Sequence, residues 1–585
     1  MSDILEPLYT EKNNCQDCYK CVKECPVKSV KIENESASIR YDYCTYCGHC
    51  LTICPAKAKK VRDDSQKVIS ALQNKEQLII SLAPSYISEF PHISEESFVA
   101  AAREMGFYGV SETALGAEKV SDATKNWLDS QPNGVYFSSC CTAAVHFVCK
   151  YYPEKKHLLV PIDTPMVAHG KMLKKQYPGC KVVFVGPCIA KKKESDMNTS
   201  VIDYALTYKE FMDMMDWFGV DFDFIKSTDK DTFIPQRAYK GRLFPVDGGM
   251  IANMIRSEEV ASINNNNSPV SYMTFSGVRN IREIIEDSDS LNTPKKLFLE
   301  LMICEGGCVK GPGTMEKKSV ASKRIKIFSS LKKELPSTPT LEENLSLFDG
   351  IEVGSSFDSI VEPPVVEYPE AKIEEALQSV NKFSKQAELN CSGCGYDNCR
   401  EFAKALIDGR AESSMCISFM RSVAFNKTNI LLRKIPYGVV IVNDKMQIVD
   451  SNEKFVKILG EEAQFIHENI PNLVGADARK LIPFYHLFEK VLKNGNDETE
   501  QDVRYNDKYL NVSVMTVQAG KTVCGIVQNM HEPEVRKDLV INRTREVILQ
   551  NLKVVQQIAF LLGENASFTE TMLNSIVESH DETKK

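Results

Sequence analysis

The chain has 585 residues, 43% hydrophobic and 26% charged, with a formal net charge of −8, a length that suggests roughly three to five domains. Its acidic balance argues against nucleic acid as a partner, no apolar run of about 18 residues is present to make a membrane span, and the polar, acidic start is unlike a secretory signal or transit peptide, so a cytoplasmic protein is expected. The unusual count is 20 cysteines, mostly in short clusters, which in the cytosol points to metal or redox chemistry and not to disulfides.

The first domain, residues 1–62, is cysteine-dense. Cys15, Cys18, Cys21 and Cys25 form C-x2-C-x2-C-x3-C before Pro26, and Cys44, Cys47, Cys50 and Cys54 repeat the run before Pro55. This resembles the bacterial two-cluster ferredoxin, in which the cysteine before proline reaches the other cluster. The resemblance implies one [4Fe–4S] cluster on Cys15, Cys18, Cys21 and Cys54, and a second on Cys44, Cys47, Cys50 and Cys25. A structural zinc site is the competing reading, but zinc seldom uses eight cysteines in this register. Such a module moves electrons and makes no product.

From 65 to 362 apolar strand-like runs (Leu78–Leu82, Val135–Ser138, Val182–Val185, Leu297–Met302) alternate with helix-like stretches, which favours an α/β domain. Three cysteine motifs punctuate it: Ser138-Ser139-Cys140-Cys141; Gly186-Pro187-Cys188-Ile189-Ala190-Lys191, with Glu194 just beyond; and Cys304-Glu305-Gly306-Gly307-Cys308, before Gly311-Pro312-Gly313. Glycine beside a ligand lets backbone approach a bulky inorganic group, and cysteines gathered from distant segments suit a buried cofactor. Taken alone, the run Lys191–Lys193 reads as a solvated face. Cys149, Cys180 and Cys524 match no motif and read as ordinary thiols.

In order and separation these motifs resemble the three signatures of the [FeFe] hydrogenases. The resemblance covers roughly residues 1–360. It implies an H-cluster: a [4Fe–4S] cubane joined through a cysteine sulfur to a two-iron unit carrying CO, cyanide and a dithiolate. By position Cys141, Cys188, Cys304 and Cys308 would hold the cubane, with Cys308 as the bridge. Lys191 would contact one cyanide, and Ala83-Pro84-Ser85 resembles the segment that contacts the other. Glu194 would pair with a neighbour and hold its loop, and Cys140 matches the proton-relay cysteine. Departures are also visible. Thr142-Ala143-Ala144 stand where Pro-Gly-Trp is usual, Gly186 replaces Met, and Met166 replaces Gln. Thr124, Trp127 and Val160 stand where relay carboxylates and a hydroxyl are expected. A kept cofactor shell with an altered proton exit resembles the sensory branch of the family.

Val361–Pro369 reads as a linker, because proline cannot continue a helix or central strand. In a third domain, 375–425, Cys391, Cys394, Cys399 and Cys416 resemble a small four-cysteine [4Fe–4S] domain; zinc would more often use two separated C-x2-C pairs. Residues between Cys399 and Cys416 read as helix, and the helical pattern runs on towards Leu432. In a fourth domain, 428–532, the strand Ile435–Val442, the turn Asn443-Asp444, a second strand Ile448–Asp450 and a helix from Ser451 resemble the start of a PAS domain. Later strands fall near Asp502–Tyr505, Tyr509–Val517 and Val523–Gln528. The tail, 535–575, carries Ile541, Ile548, Val555 and Leu562 at heptad spacing, as in a signalling helix or coiled coil.

The expected fold class is therefore multidomain α/β and α+β: two-cluster ferredoxin, H-cluster domain, four-cysteine cluster domain, PAS domain and C-terminal helix. The expected cofactors are three [4Fe–4S] clusters plus the H-cluster. The expected chemistry is the ferredoxin-hydrogenase interconversion of H₂ with protons and electrons, slow and used to sense H₂ or redox state. Expected partners are ferredoxin or another electron carrier, a downstream signalling protein, and a second copy through the PAS domain and tail, with no nucleic acid and no membrane. Two rivals are a bulk-turnover ferredoxin-linked hydrogenase and an iron–sulfur signalling or scaffold protein without the two-iron unit.

Overall fold

Both halves of the cysteine-rich N-terminus build their loops the same way. In the computed structural model, Asp17, Tyr19 and Lys28 take positive φ in the first half, and Tyr46, Gly48 and Lys57 take it at the equivalent positions of the second. Left-handed backbone is costly for residues other than glycine, so its repetition marks loops curled for a purpose. Each loop feeds a short helix, Lys20–Glu24 or His49–Ile53. Two small antiparallel pairs brace them: β1 (Leu8–Thr10) with β4 (Lys59–Val61), and β2 (Val30–Glu33) with β3 (Ser36–Ile39). The structure describes residues 5–33, 36–255, 269–291, 294–331, 339–364, 366–495 and 498–530. The heptad tail therefore lies outside the described residues.

The chain divides into two compact units, Met1–Phe419 and Met420–Lys585. The first has two parallel sheets at its centre. One runs in the order β6 (Gly109–Glu112), β5 (Leu78–Leu82), β8 (Lys181–Val185), β9 (Tyr204–Leu206). The other runs β10 (Val270–Ser276), β11 (Lys296–Met302), β7 (Gly134–Phe137). Every residue of β5 is buried, as expected for a parallel strand covered on both faces. The helix Thr113–Ser130 crosses the helix Pro165–Gln176 at Gly116, where a Cβ would stand 2.2 Å from the Pro165 carbonyl. His169, fully buried beside this crossing, spans Ser81 of β5 (Nδ1, 2.7 Å) and Ser111 of β6 (Nε2, 2.8 Å). Burial pushes its pKa down to about 3, so it is a neutral tie between strands.

The N-terminal module is fastened to these sheets. Lys150 donates to the carbonyls of Tyr41, Asp42 and Cys44 at 2.8–3.0 Å. Arg62 holds Asp196 through both terminal nitrogens at 2.8 Å. Lys192 is buried against Asp64, Glu210 and the Ala205 carbonyl, and Lys193 reaches Glu6. Paired this way, the Lys191–Lys193 run is not a solvated face. The four-cysteine segment belongs to the same unit. Its helix covers only Cys399–Ile407; the chain then turns, and Cys416 follows a short 3-10 turn at Ser413–Met415. The continuous helix expected up to Cys416 is broken at Gly409, whose positive φ ends it.

The second unit is a five-stranded antiparallel sheet in the order β13 (Ile448–Ser451), β12 (Gly438–Asn443), β16 (Thr522–Asn529), β15 (Lys508–Gln518), β14 (Glu498–Tyr505). Asn452 caps the helix Glu453–Leu459 by accepting from the Phe455 N–H. Val440, Phe455, Phe484, Phe488 and Val512 fill its core.

Candidate functional site

Strand ends deliver the three central motifs to one place. β7 ends just before Ser138–Cys141, β8 before Gly186–Cys188, and β11 before Cys304–Cys308, so all three lie beyond the carboxyl ends of parallel strands, the usual position for a site in such sheets. Cys141, Cys188, Cys304 and Cys308 line one cavity, together with Ala143, Pro187, Met302, Ile303 and Gly311. Tyr46 and Cys47 of the N-terminal module complete its wall. A second cavity is lined by Cys15, Cys18, Cys21 and Cys54, which draws on both cysteine runs.

The donor set suits iron–sulfur clusters. All 20 cysteines are free thiols. In the central cavity burial, then the neighbouring thiolates, push Cys304 and Cys308 well above the ordinary thiol range, and Cys188 up to about 11. Thiols clustered in this way do not ionise together unless cationic metal balances them. In the N-terminal module backbone N–H groups already point at sulfur: Ala37 at Cys15, Ser29 at Cys25, Tyr46 at Cys44 and Ala58 at Cys54, all at 3.3–3.4 Å. Among the described residues no three His, Cys, Asp or Glu side chains converge on a point fit for a single metal ion. The cysteines surround volumes instead.

The polar groups around the central cavity are paired. Lys191 donates to Glu194 at 2.5 Å, and Glu194 accepts a second bond from Thr142 at 3.0 Å. Burial disfavours the Lys191 charge, but Glu194 and the sulfurs of Cys188 and Cys141 outweigh it, so the ammonium stays protonated. Ser85 is buried and bonds the Tyr208 hydroxyl at 2.6 Å, and Tyr208 donates to the Ala83 carbonyl at 3.2 Å. Cys140 is buried with its thiol 3.8 Å from Ser138 Oγ.

Sequence reasoning passed over two of these neighbours. Tyr208, on a different element from Ser85, is close enough to Cys308 to feel its charge. Glu300 sits on β11 beside Leu301, whose N–H bonds Ser138 Oγ at 2.9 Å. After burial, Glu300 is the largest influence raising the Cys140 thiol. Burial lifts Glu300 itself to about 7 against the N–H groups of Met250 and Ile251 that favour its charge. The sequence signal was a lone glutamate inside the otherwise apolar run Leu297–Met302. Thr124, at a position where a carboxylate was looked for, is buried with its hydroxyl unpartnered among the described residues, and Val160 is fully buried.

Comparison with known proteins agrees with this architecture. The family model for the iron only hydrogenase large subunit, C-terminal domain, matches residues 76–312, a 4Fe-4S dicluster domain matches 7–55, and an Fe-S cluster domain matches 388–418. Iron hydrogenase 1 of Clostridium pasteurianum is 25% identical over 296 residues, 42% of this chain and 52% of that protein. The periplasmic [Fe] hydrogenase large subunit of Nitratidesulfovibrio vulgaris is 24% identical, over 42% of this chain and 69% of its own length. The chain thus spans about half the length of the first of these relatives. A variant of the [FeFe]-hydrogenase HydA1 from Chlamydomonas reinhardtii superposes with a TM-score of 0.38 and 17% identity, covering 49% of this chain and 94% of that one. The PAS domain of Bordetella pertussis BvgS gives a TM-score of 0.14 at 13% identity, over 21% of this chain. By its family model and its sequence relatives, the segment 76–312 matches the iron-only, or [FeFe], hydrogenases.

Proposed function

We propose that this chain interconverts H₂ with protons and electrons at an H-cluster held by Cys141, Cys188, Cys304 and Cys308, and that it works slowly, as a sensor of H₂ or redox state. The observation that carries the first half is the cavity lined by four thiols from three distant segments. When bound, the cofactor supplies the metal centre where the H–H bond is made or split. The protein supplies the rest. Cys308 would serve as the ligand that links the two parts of the cofactor. Lys191, held charged beside Glu194, offers an ammonium to an anionic ligand, and the Ala83–Ser85 segment, backed by Tyr208, contacts the other side. Cys140 holds a proton at Sγ and hands it on. The cysteines of residues 1–62 and 391–416 carry three further [4Fe–4S] clusters for electrons exchanged with ferredoxin or a similar carrier. The five-stranded C-terminal unit acts as a PAS domain that passes the state of the site to a downstream protein, with a second copy of the chain as its dimer partner, in a cytoplasmic setting.

The sensory half rests on the loss of proton carriers at Thr124, Trp127 and Val160. One observation favours the faster rival: Glu300 lies near Cys140 with a protonation equilibrium near neutrality, which suits a proton acceptor. One experiment separates the readings. The chain matured with its two-iron unit should show infrared bands of bound CO and cyanide, with H₂ oxidation to an artificial acceptor about 10²–10⁴-fold below bulk-turnover relatives. Missing bands on fully cluster-loaded protein favour the scaffold reading. Full speed with the bands present removes the sensory one.

A further inference from the structure

The residue 391–416 segment does not stand apart from the N-terminal module; it is seated on it. Gly395 takes φ +90°, and a Cβ there would lie 2.5 Å from Lys23 Cα and 2.9 Å from the Lys23 carbonyl oxygen. The two backbones therefore touch, one residue from the cysteine Cys394 and two from Cys25. Tyr396, 4% exposed, is buried in the same apolar core as Cys25, Cys44 and Cys416. The seam is closed on both sides by polar contacts. Tyr19 donates to Glu412 at 2.7 Å and meets Ser414 Oγ at 2.9 Å, and the Arg410 guanidinium lies 5.8 Å from the Tyr43 ring. One cation belongs to both partners: Lys28, anchored on the Lys23 carbonyl at 2.6 Å, has its ammonium 5.7 Å from the Tyr396 ring, and the charges of both Cys25 and Cys394 reach it.

We propose that Cys25 and Cys394, with Tyr396 packed at the seam, form an electron port through which the residue 391–416 cluster exchanges electrons with the ferredoxin cluster on Cys25, Cys44, Cys47 and Cys50. This rests on the cluster reading given above. The ferredoxin cluster then borders two sites, because Cys47 lines the central cavity while Cys25 lies at the seam. It is a junction. An electron released by H₂ oxidation arrives past Cys47 and leaves either past Cys25 to the 391–416 cluster or to the other cubane, whose Cys18 is exposed and faces an external one-electron carrier. Each transfer oxidises one cubane by one electron and reduces the next by one, and the two protons from H₂ leave at the central site. The Lys28 charge at the seam favours the reduced, more negative form of both neighbours.

The test uses the full-length, cluster-loaded chain. Gly395→Val touches no ligand but has no room against Lys23. Electron paramagnetic resonance of the fully reduced protein should show magnetic broadening between the two clusters in the parent and its loss in the variant, with the iron content unchanged. Broadening that persists in the variant, or is absent from a parent carrying both reduced signals, overturns the port. Lys28→Met covers the case in which Gly395→Val sheds its cluster. Both midpoint potentials should fall together, by about a tenfold change in the reduced-to-oxidised ratio at fixed potential, or 59 mV for one electron. A shift in only one cluster, or in neither, also overturns it. A parent with no third cluster signal refutes the cluster assignment of residues 391–416 itself, a failure distinct from that of the port.

Discussion

At the scale of single residues, the proposed function assigns cofactor binding and proton movement to different groups. Cys308 is assigned the bridge, so Cys308→Ser should abolish the CO and cyanide bands while the paramagnetic signals of the ferredoxin clusters persist. Unchanged bands would move the bridge elsewhere. Glu300 has a double signature. Glu300→Gln removes a carboxylate next to Cys140 and should lower H₂ oxidation by on the order of 10²-fold, the usual worth of a positioned acid–base group. Its burial also sets a pH dependence of stability. The folded value is about 7 against an ordinary 4.5, so the neutral acid is the form the fold favours. That advantage is complete below the unfolded value and is lost as pH rises through about 7, at a cost of about 3 kcal/mol at most. Denaturant titrations should therefore show the parent weakening between pH 5 and pH 8, and the Gln variant weakening less.

At the scale of elements, the Gly116 crossing fixes how the helix bearing Glu118 and Thr124 lies against the helix bearing Met166 and His169. Gly116→Ala places a methyl 2.2 Å from the Pro165 carbonyl and 2.8 Å from His169 Cβ, and should cost about 1–3 kcal/mol in thermal or denaturant unfolding, the usual penalty for overpacking. The sequence already pointed to most of these elements. Runs such as Leu78–Leu82 and Val182–Val185 are apolar and short, and they became buried parallel strands. The Asn443-Asp444 turn fell where its chemistry required, with Asn443 Oδ1 accepting from the N–H groups of Lys445 and Gln447, and the helix expected from Ser451 begins at Glu453. What the sequence hid is long-range. Nothing local tells Lys192 to bury itself between Asp64 and Glu210, or Tyr208 to meet Ser85, because such pairs form only after the chain returns upon itself. Glu300 was hidden for a related reason: inside an apolar strand a single acid stands out only when its neighbours in space are known.

At the scale of the whole molecule, the first unit joins the N-terminal module, the two parallel sheets and the four-cysteine segment in one body. If the proposed signal runs through the 391–416 cluster, Cys399→Ala should erase any H₂-dependent change in hydrogen exchange across residues 438–529, while the parent keeps it. An identical response in the variant would mean that the central site and the C-terminal unit communicate without that cluster. Tyr46 and Cys47 form part of the wall of the central cavity, and Lys150 clamps that wall through three carbonyls. The ferredoxin-like module is thus one wall of the central cavity. A chain cut after residue 62 would be left with a site open to whatever the surroundings contain.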